Sequence, residues 1–376
     1  MKIAYCIAGT CHSGGMERVL ANKANYLVGQ GYEVIIITTD QHEAPPFFPL
    51  DKKIRCYDLG INYEENNGRS FFNKLVHYPG KQWRHKKRLT ALLKREKPDI
   101  TISMFCNDVS FMPHIKDGSK KILEIHFSKY KRIQYGRKGL WKLADRWFSR
   151  QDEKWVRRFD KFVVLTEEDR KYWGNLDNIT VIPNARTFTP IQTADMENKK
   201  VIAVGRYTYQ KGFERLIEAW HLVASDFPDW KLEIVGDGEQ RTRLKERIAR
   251  YGIDNSVVLV PANNEIEKHY LSSSVYAMTS RYEGLPMVLL EAQAFGLPIV
   301  SFNCKCGPSD VVNHGKNGFL VEEGNVSAFA SQLRKVMADV ELRKKMSRNA
   351  LEASKKFSME PVMSRWMQLF ESLTEK

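Results

Sequence analysis

The chain has 376 residues, 43% hydrophobic and 28% charged, with 59 Lys+Arg against 45 Asp+Glu and a formal net charge of +14. This composition excludes the disordered and fibrous classes, and at roughly 100–200 residues per domain the length predicts two domains, each able to bury its own core. No apolar run approaches the ~20 residues of a membrane span, the longest strong ones being stretches such as 34–37 and 257–260.

The N-terminal half alternates strand and helix. KIAYCIAG (2–9) reads as a buried strand rather than a secretion signal, because its apolar run is short, gives way to His12 and precedes no cleavage pattern. MERVLANKANYLVGQG (16–31) carries apolar residues at helical spacing and stops on Gly, and EVIIITTD (33–40) is a second strand. PDITISMF (98–105), KKILEIHF (120–127) and KFVVLTEED (161–169) repeat short β-rich runs between helical stretches, the pattern of parallel β/α/β units.

After Ile182-Pro183-Asn184, a polar stretch (185–199) reads as an interdomain linker. The alternation restarts with KVIAVGR (200–206), a helix over 212–226, KLEIVGDG (231–238) and a helix over 239–251. Strands follow at 256–260, 274–280, 298–302 and 318–324, with helices over 286–296 and from about 326. The class is α/β, with two doubly wound, Rossmann-like domains, residues 1–188 and 189–356. They are expected to face across a cleft that takes a ligand at the carboxyl ends of the strands. A last helix within about 357–376 is assigned to the first domain, to which it would cross back.

Six scattered cysteines without a secretion signal are expected to be reduced thiols. The close pair Cys304 and Cys306 lacks a second pair or a His at zinc spacing, so no metal site is expected.

The charge is uneven. Residues 1–188 hold 34 Lys+Arg and 21 Asp+Glu, a surplus of 13, whereas 189–376 hold 25 and 24. Segment 81–97 carries eight basic residues and one acidic; segment 129–161 carries twelve and four, with Trp141, Trp147 and Trp155 interleaved. Three readings compete: a surface resting on anionic lipid, a nucleic-acid groove, and solvated helix faces whose tryptophans point into the core.

Three constellations carry chemistry. Gly14-Gly15, between the first strand and its helix, lets backbone amides approach an anion, although the spacing from Gly9 is neither a dinucleotide fingerprint nor a P-loop and also suits an ordinary turn. In VGRYTYQKGFERLIEA (204–219), Arg206 leaves a strand end and Lys211 precedes a helix, so two cations can converge on a diphosphate; two solvated loop cations are the plainer reading. In RYEGLPMVLLEAQAFGLPIVSF (281–302), Gly284-Leu285-Pro286 opens a helix with Met287. Glu283 just before it can accept hydrogen bonds from hydroxyls, and Glu291 two turns later can grip a ribose.

Together these stretches resemble the GT-B-fold, retaining glycosyltransferases of family 4 (glycosyl transferases group 1), bacterial polysaccharide-biosynthesis type. The resemblance spans GGMER (14–18), EIHFS (124–128), VVLTEED (163–169), VIPNA (181–185), VGDGEQ (235–240), EGLPMVLLEA (283–292) and GPSDVV (307–312), and it is strongest in the C-terminal half. It implies that Arg206 and Lys211 bind the donor diphosphate, Glu291 the ribose hydroxyls and Glu283 the transferred sugar, with the amides of Gly284, Leu285, Pro286 and Met287 lying along sugar and distal phosphate.

By the same resemblance Gly15 approaches the phosphate or sugar, and His126 is the active-site histidine near the reacting centre. The base pocket would follow the strand at 256–260, where Pro261-Ala262-Asn263-Asn264 departs from the commoner Gly-containing turn. No cofactor or metal is implied, only a nucleotide-diphosphate sugar as co-substrate, and GPSDVV tilts the expectation to UDP. The expected partner is a lipid-linked or other glycan acceptor, met at an anionic membrane surface by the N-terminal domain. The expected location is cytoplasmic, peripheral at the inner face of the cytoplasmic membrane. The alternative is a soluble synthase acting on free sugars or glucan; nothing matches helix-turn-helix, zinc-finger or RNP patterns, and no nucleic acid is expected.

Overall fold

A computed structural model describes residues 1–66, 71–130, 140–263 and 265–375. Its contacts define two compact units: residues 1–165, 170–182 and 363–376, and residues 166–169 and 183–362. The stretch expected to be a linker is instead bound into the second unit. Arg186 N donates to Phe357 O (2.7 Å), Ala194 N donates to Phe295 O (2.9 Å), and the Phe188 ring lies 6.1 Å from that of Phe295. Its loop backbone finds partners on backbone and side chains alike, Glu197 N donating to Asp195 Oδ1 (2.9 Å) and Asn198 Nδ2 to Leu271 O (3.3 Å).

The first unit is built on a seven-stranded parallel sheet in the order β3-β2-β1-β4-β5-β6-β7. The strands are β1 Lys2–Ile7, β2 Glu33–Thr38, β3 Arg55–Asp58, β4 Ile100–Ser103, β5 Lys120–Glu124, β6 Lys161–Val164 and β7 Ile179–Val181. β1 and β2 open on a charged residue, Lys2 and Glu33, and then run buried and largely apolar, as in a parallel sheet covered on both faces; Ile3, Ala4, Ile35 and Ile36 are fully buried. β3 (RCYD) and β7 (ITV) escape the sequence reading because edge strands need no continuous apolar run; β3 is mostly exposed.

Segment 81–97 falls largely in the helix Phe71–Glu96. His85, Leu89, Leu92 and Leu93 are its buried stripe, while Arg84, Lys86, Lys87, Arg88, Lys94 and Arg95 are exposed. Trp83 stands on the cationic face, 66% exposed, with Lys87 Nζ 5.1 Å from its ring centre. The second basic segment lies partly in the helix Leu140–Val156. There Trp147 is 57% exposed and Trp155 rests against the core, whereas residues 131–139 and the Trp141 side chain lie outside what is described. The expectation that these tryptophans might all turn inward is therefore corrected for Trp147.

The second unit repeats the design with a six-stranded parallel sheet, β10-β9-β8-β11-β12-β13. Its strands are β8 Lys200–Val204, β9 Lys231–Val235, β10 Val257–Val260, β11 Val275–Met278, β12 Ile299–Phe302 and β13 Gly318–Val321. Trp220, Leu216, Leu232, Phe302, Phe329 and Leu333 are buried together, each such side chain stabilising by about 1.5–3 kcal/mol relative to exposure. The helix expected over 212–226 ends at His221 and passes into a short 3-10 turn, Ala224–Asp226. Arg334 takes over there, donating to Leu222 O (2.8 Å) and Asp226 Oδ2 (2.9 Å). Later helices are capped in the ordinary way: Asn325 accepts from Ala328 N (3.0 Å) and Asp339 from Leu342 N (2.9 Å).

In each sheet the order reverses between two neighbours, β1 and β4 in the first and β8 and β11 in the second. Loops leaving the carboxyl ends of such a pair diverge and leave a crevice, the usual ligand position in open α/β sheets.

Candidate active site

In the second unit the loops leaving β8 and β11 are stitched together. Tyr207, fully buried, donates its hydroxyl to Ile234 O (2.8 Å) and Val260 O (3.1 Å), hanging the loop after β8 from β9 and β10. Burial pushes that phenol up to about 12. Arg206 beside it is exposed and makes no side-chain hydrogen bond among the described residues. Gln210 Nε2 donates to Tyr282 O (2.9 Å) and Arg281 N donates to Gln210 O (2.8 Å), tying this loop to the one after β11. Arg281 also lies 3.8 Å over the Tyr209 ring and donates to Glu214.

These ties bring Lys211 and Glu283 together: Lys211 Nζ donates to Glu283 Oε1 at 2.7 Å, the side chains 17% and 9% exposed. A Cβ at position 205 would lie 3.1–3.2 Å from the Lys211 stem, so Gly205 leaves the room through which that stem passes. Glu283 is fixed from behind, its N–H donating to Lys305 O (3.1 Å) and its carbonyl accepting from Cys306 N (3.2 Å). At Gly307, φ is +102° and a Cβ would meet Gly284 O at 2.5 Å, so glycine there permits the close turn beneath Gly284.

Pro286 caps the helix Met287–Ala294. Leu285 is buried, while Gly284 and Met287 are half-buried. The first-turn amides of any helix have no intrahelical acceptor and favour an anion. Glu291, one turn on and buried, accepts from the Tyr270 hydroxyl at its Oε2 (2.9 Å); Tyr270 in turn stacks on Phe295, centroids 5.1 Å apart.

In the first unit, Gly15 begins the helix Gly15–Gly29, and a Cβ there would meet nothing within 4 Å. At Gly14 the space is taken by the Glu17 carboxylate, which folds back over the helix start and balances its partial positive charge. His126 follows β5, its side chain 7% exposed and its Nε2 3.1 Å from Glu124 Oε1. That contact is the ring's one polar approach among the described residues, and it falls short of a well-aligned hydrogen bond. Glu124 is gripped by Lys23, whose Nζ donates to Oε1 (2.8 Å) and Oε2 (2.7 Å). Burial pushes the Glu124 carboxyl up, but Lys23 and His126 outweigh it and hold the group at about 2.

The family model described as Glycosyl transferases group 1 matches residues 185–353, and Glycosyltransferase Family 4 matches residues 13–186. The amylovoran biosynthesis glycosyltransferase AmsD of Erwinia amylovora is 30% identical over 382 residues, covering 97% of this chain and 98% of its own. The chain belongs to the family 4, group 1 glycosyltransferases.

A second relative in that family is a Campylobacter jejuni α-1,4-N-acetyl-D-galactosaminyltransferase whose name gives a GalNAc-containing diNAcBac-PP-undecaprenol substrate. It is 27% identical over 374 residues, covering 98% of each chain. The crystal structure of an S. aureus TarM variant in complex with UDP superimposes with a TM-score of 0.76 at 16% identity, covering 98% of this chain and 99% of that one. The family 4 fold is GT-B, and both Rossmann-like sheets described above conform to it.

For this family 4 glycosyltransferase, then, Arg206, Lys211, Glu283, Gly284, Leu285, Pro286, Met287 and Glu291 lie in the second unit, and Gly15 and His126 in the first. Only Lys211 and Glu283 of these are in direct side-chain contact among the described hydrogen bonds. The sequence reading passed over Tyr207, Gln210, Arg281 and Tyr270, which hold the site residues in place. Their roles depend on partners tens of residues away and leave no local pattern. All six cysteines are free thiols. Among the described residues no group of three or more His, Cys, Asp or Glu is arranged for a metal, and no helix is long and apolar enough to cross a membrane.

Proposed function

We propose that this glycosyltransferase moves a hexose or N-acetylhexosamine, with retention, from a UDP-linked donor to a lipid-linked glycan acceptor in surface polysaccharide biosynthesis. The observation that carries the reading is the Lys211–Glu283 pair, which joins the loops at the carboxyl edge of β8 and β11, the first of which also carries exposed Arg206. Two cations suit a diphosphate, and a carboxylate held 2.7 Å from one of them suits the hydroxyls of the sugar attached to it. The C. jejuni relative's diphospholipid substrate, the amylovoran role of the Erwinia relative and the UDP bound to TarM support the choice of acceptor, pathway class and base.

In this reading the acceptor oxygen bonds to the anomeric carbon on the face the diphosphate leaves. The bond from that carbon to phosphate oxygen breaks, and the departing phosphate takes the acceptor proton. Arg206, Lys211 and the amides at Gly284, Leu285 and Met287 stabilise the charge that develops on it. Glu291 holds the ribose, Gly15 and His126 serve the reacting end, and the two side-chain cations supply the positive charge that a metal provides elsewhere. Transfer therefore proceeds unchanged in EDTA. The cationic faces bearing Trp83 and Trp147 favour peripheral attachment at the inner face of the cytoplasmic membrane.

Thermal melts with UDP, GDP and ADP test the donor: UDP at 100 times its Kd stabilises the fold by about 2.7 kcal/mol. Transfer to a polyprenol-diphosphate glycan but not to free sugars is expected; transfer to free sugars alone, or stabilisation by GDP alone, would overturn the corresponding assignment.

A further inference from the structure

The loop after β2 carries an exposed aromatic ring on a tightly determined backbone. Phe47 is 57% exposed, in the run Ala44-Pro45-Pro46-Phe47-Phe48-Pro49, whose three prolines fix φ around it. Ahead of them, Ala44 N donates to Gln41 O (3.0 Å) across a turn whose two central residues, His42 and Glu43, have φ of +51° and +59°. Neither is a glycine. Such left-handed backbone persists only where the surroundings over-determine it, and it gathers at ligand clamps.

The surroundings here are hydrogen bonds to the loop after β1 and to the first helix. Gln41 Oε1 accepts from Thr10 N (2.9 Å) and Thr10 Oγ1 (3.1 Å), while its Nε2 donates to Ala44 O (2.7 Å). Phe47 N donates to Thr10 O (2.8 Å). At the far end Asn25 donates its Nδ2 to Pro49 O (2.9 Å) and accepts from Asp51 N (2.8 Å). Phe48 is half-buried, its ring 5.0 Å from that of Phe47 and 4.9 Å from the Arg18 guanidinium. The Phe47 ring is left in solvent on a backbone already ordered, so little freedom remains to be lost when something packs on it.

This ring stands at the carboxyl edge of β1 and β2, the edge at which the helix Gly15–Gly29 begins. Charge separates the possible occupants. Residues 39–51 include Asp40, Glu43 and Asp51 and no Lys or Arg, within a half that holds a surplus of 13 basic residues. Such a segment repels anionic headgroups and phosphates. One aromatic side chain, at about 150–250 Å², also falls far below the ~1,000 Å² of a specific protein interface. An uncharged sugar fits: its C–H face packs on the negative face of the ring, and its hydroxyls can be met by His42 and Glu43, exposed on the same loop.

We propose that residues 41–49 form a preformed binding loop for the acceptor glycan, with the Phe47 ring as the platform for one uncharged sugar. The proposal rests on the reading of the acceptor as a glycan.

The test is saturation-transfer NMR on the full-length protein with UDP present and four probes, the methyl α-glycosides of glucose, galactose, N-acetylglucosamine and N-acetylgalactosamine. At least one should receive saturation at its ring C–H protons, lose it about fivefold or more in Phe47→Ala and regain it in Phe47→Trp. Phe47→Leu, apolar but without a ring face, should show the same loss. Both variants should melt within about 2 °C of wild type, because the ring is exposed. Where transfer is measurable, acceptor KM should rise about tenfold in Phe47→Ala with kcat and donor KM within about twofold. Wild type that saturates none of the four probes overturns the proposal, as does saturation undiminished in Phe47→Ala. A Phe47→Ala protein that keeps its sugar but loses flotation with anionic vesicles makes the ring a membrane contact, and failure of both variants to fold makes it structural; either result is equally fatal. Binding is read without turnover and UDP stabilisation by separate melts, so a failed donor assignment leaves this test intact.

Discussion

Lys211 Nζ and Glu283 Oε1 sit 2.7 Å apart, joining the loops that leave two adjacent strands, β8 and β11. An ammonium has three protons to donate, and Glu283 takes one in this arrangement. Lys211→Ala should therefore weaken UDP binding by about 10- to 100-fold, the range of a charge-assisted hydrogen bond. Glu283→Ala should leave UDP binding within a few-fold yet reduce transfer by about 100-fold. Isothermal titration with UDP beside a transfer assay separates the two, and a Lys211→Ala protein with undiminished UDP affinity removes the diphosphate assignment.

Tyr270 is the buried support of Glu291, its hydroxyl 2.9 Å from Oε2. Tyr270→Phe keeps the ring stack on Phe295 and deletes the donor, so the melting temperature should change little while UDP affinity falls by about three- to tenfold, near 1 kcal/mol. If Glu291 does grip the ribose, the loss should shrink for a nucleotide lacking the ribose hydroxyls. An equal loss for both places the effect elsewhere.

Two buried groups of the first unit respond to pH in opposite senses. Burial pushes Asp108 up to about 6, against hydrogen bonds such as that from Ser103 Oγ (2.6 Å), while burial draws His85 down to about 4. Asp108, raised on folding, contributes stability that is full below about pH 4 and is lost as pH rises through about 6. His85, lowered on folding, contributes stability that is full above about pH 6.5 and is lost as pH falls through about 4. Each is worth on the order of 3 kcal/mol, so between about pH 4 and 6 they nearly cancel. Asp108→Asn removes one arm. Its denaturant stability should drop more steeply than wild type as pH falls from about 6.5 to 4; parallel curves would contradict these shifts.

The exposed Trp83 and Trp147 stand among cations in the half of the chain that holds a surplus of 13 basic residues. Flotation with vesicles containing anionic lipid should recover the protein, with recovery falling at high salt and falling further in Trp83→Ala/Trp147→Ala. Equal recovery with neutral and anionic vesicles would dispose of the membrane contact.

The parallel strands were legible because burial on both faces demands unbroken apolar runs, as in IAYCI and VIII. β3, an edge strand of sequence RCYD, carries no such demand and was invisible. The site followed a similar division. Arg206, Lys211 and Glu283 stand in loops just after strands and Glu291 in the helix that follows, all within short motifs that can be read locally. Lys23 looks like any polar residue of an amphipathic helix, and only its pairing with Glu124, far along the chain, reveals it as interior. The polarity of 185–199 misled in the other direction: loop backbone that hydrogen-bonds to a domain has the same composition as a loop that spans two.

The Tyr207 hydroxyl has one further consequence. It fastens the loop after β8 to two strand ends while adding no charge and no exposed surface of its own. Anchorage and chemistry are thus assigned to different side chains within one short segment. Of the exposed neighbours, Tyr209 can be exchanged without loosening this fastening and without touching the cation proposed for the diphosphate, Arg206. The fixed point of the segment is a single buried phenol, around which its exposed side chains can vary.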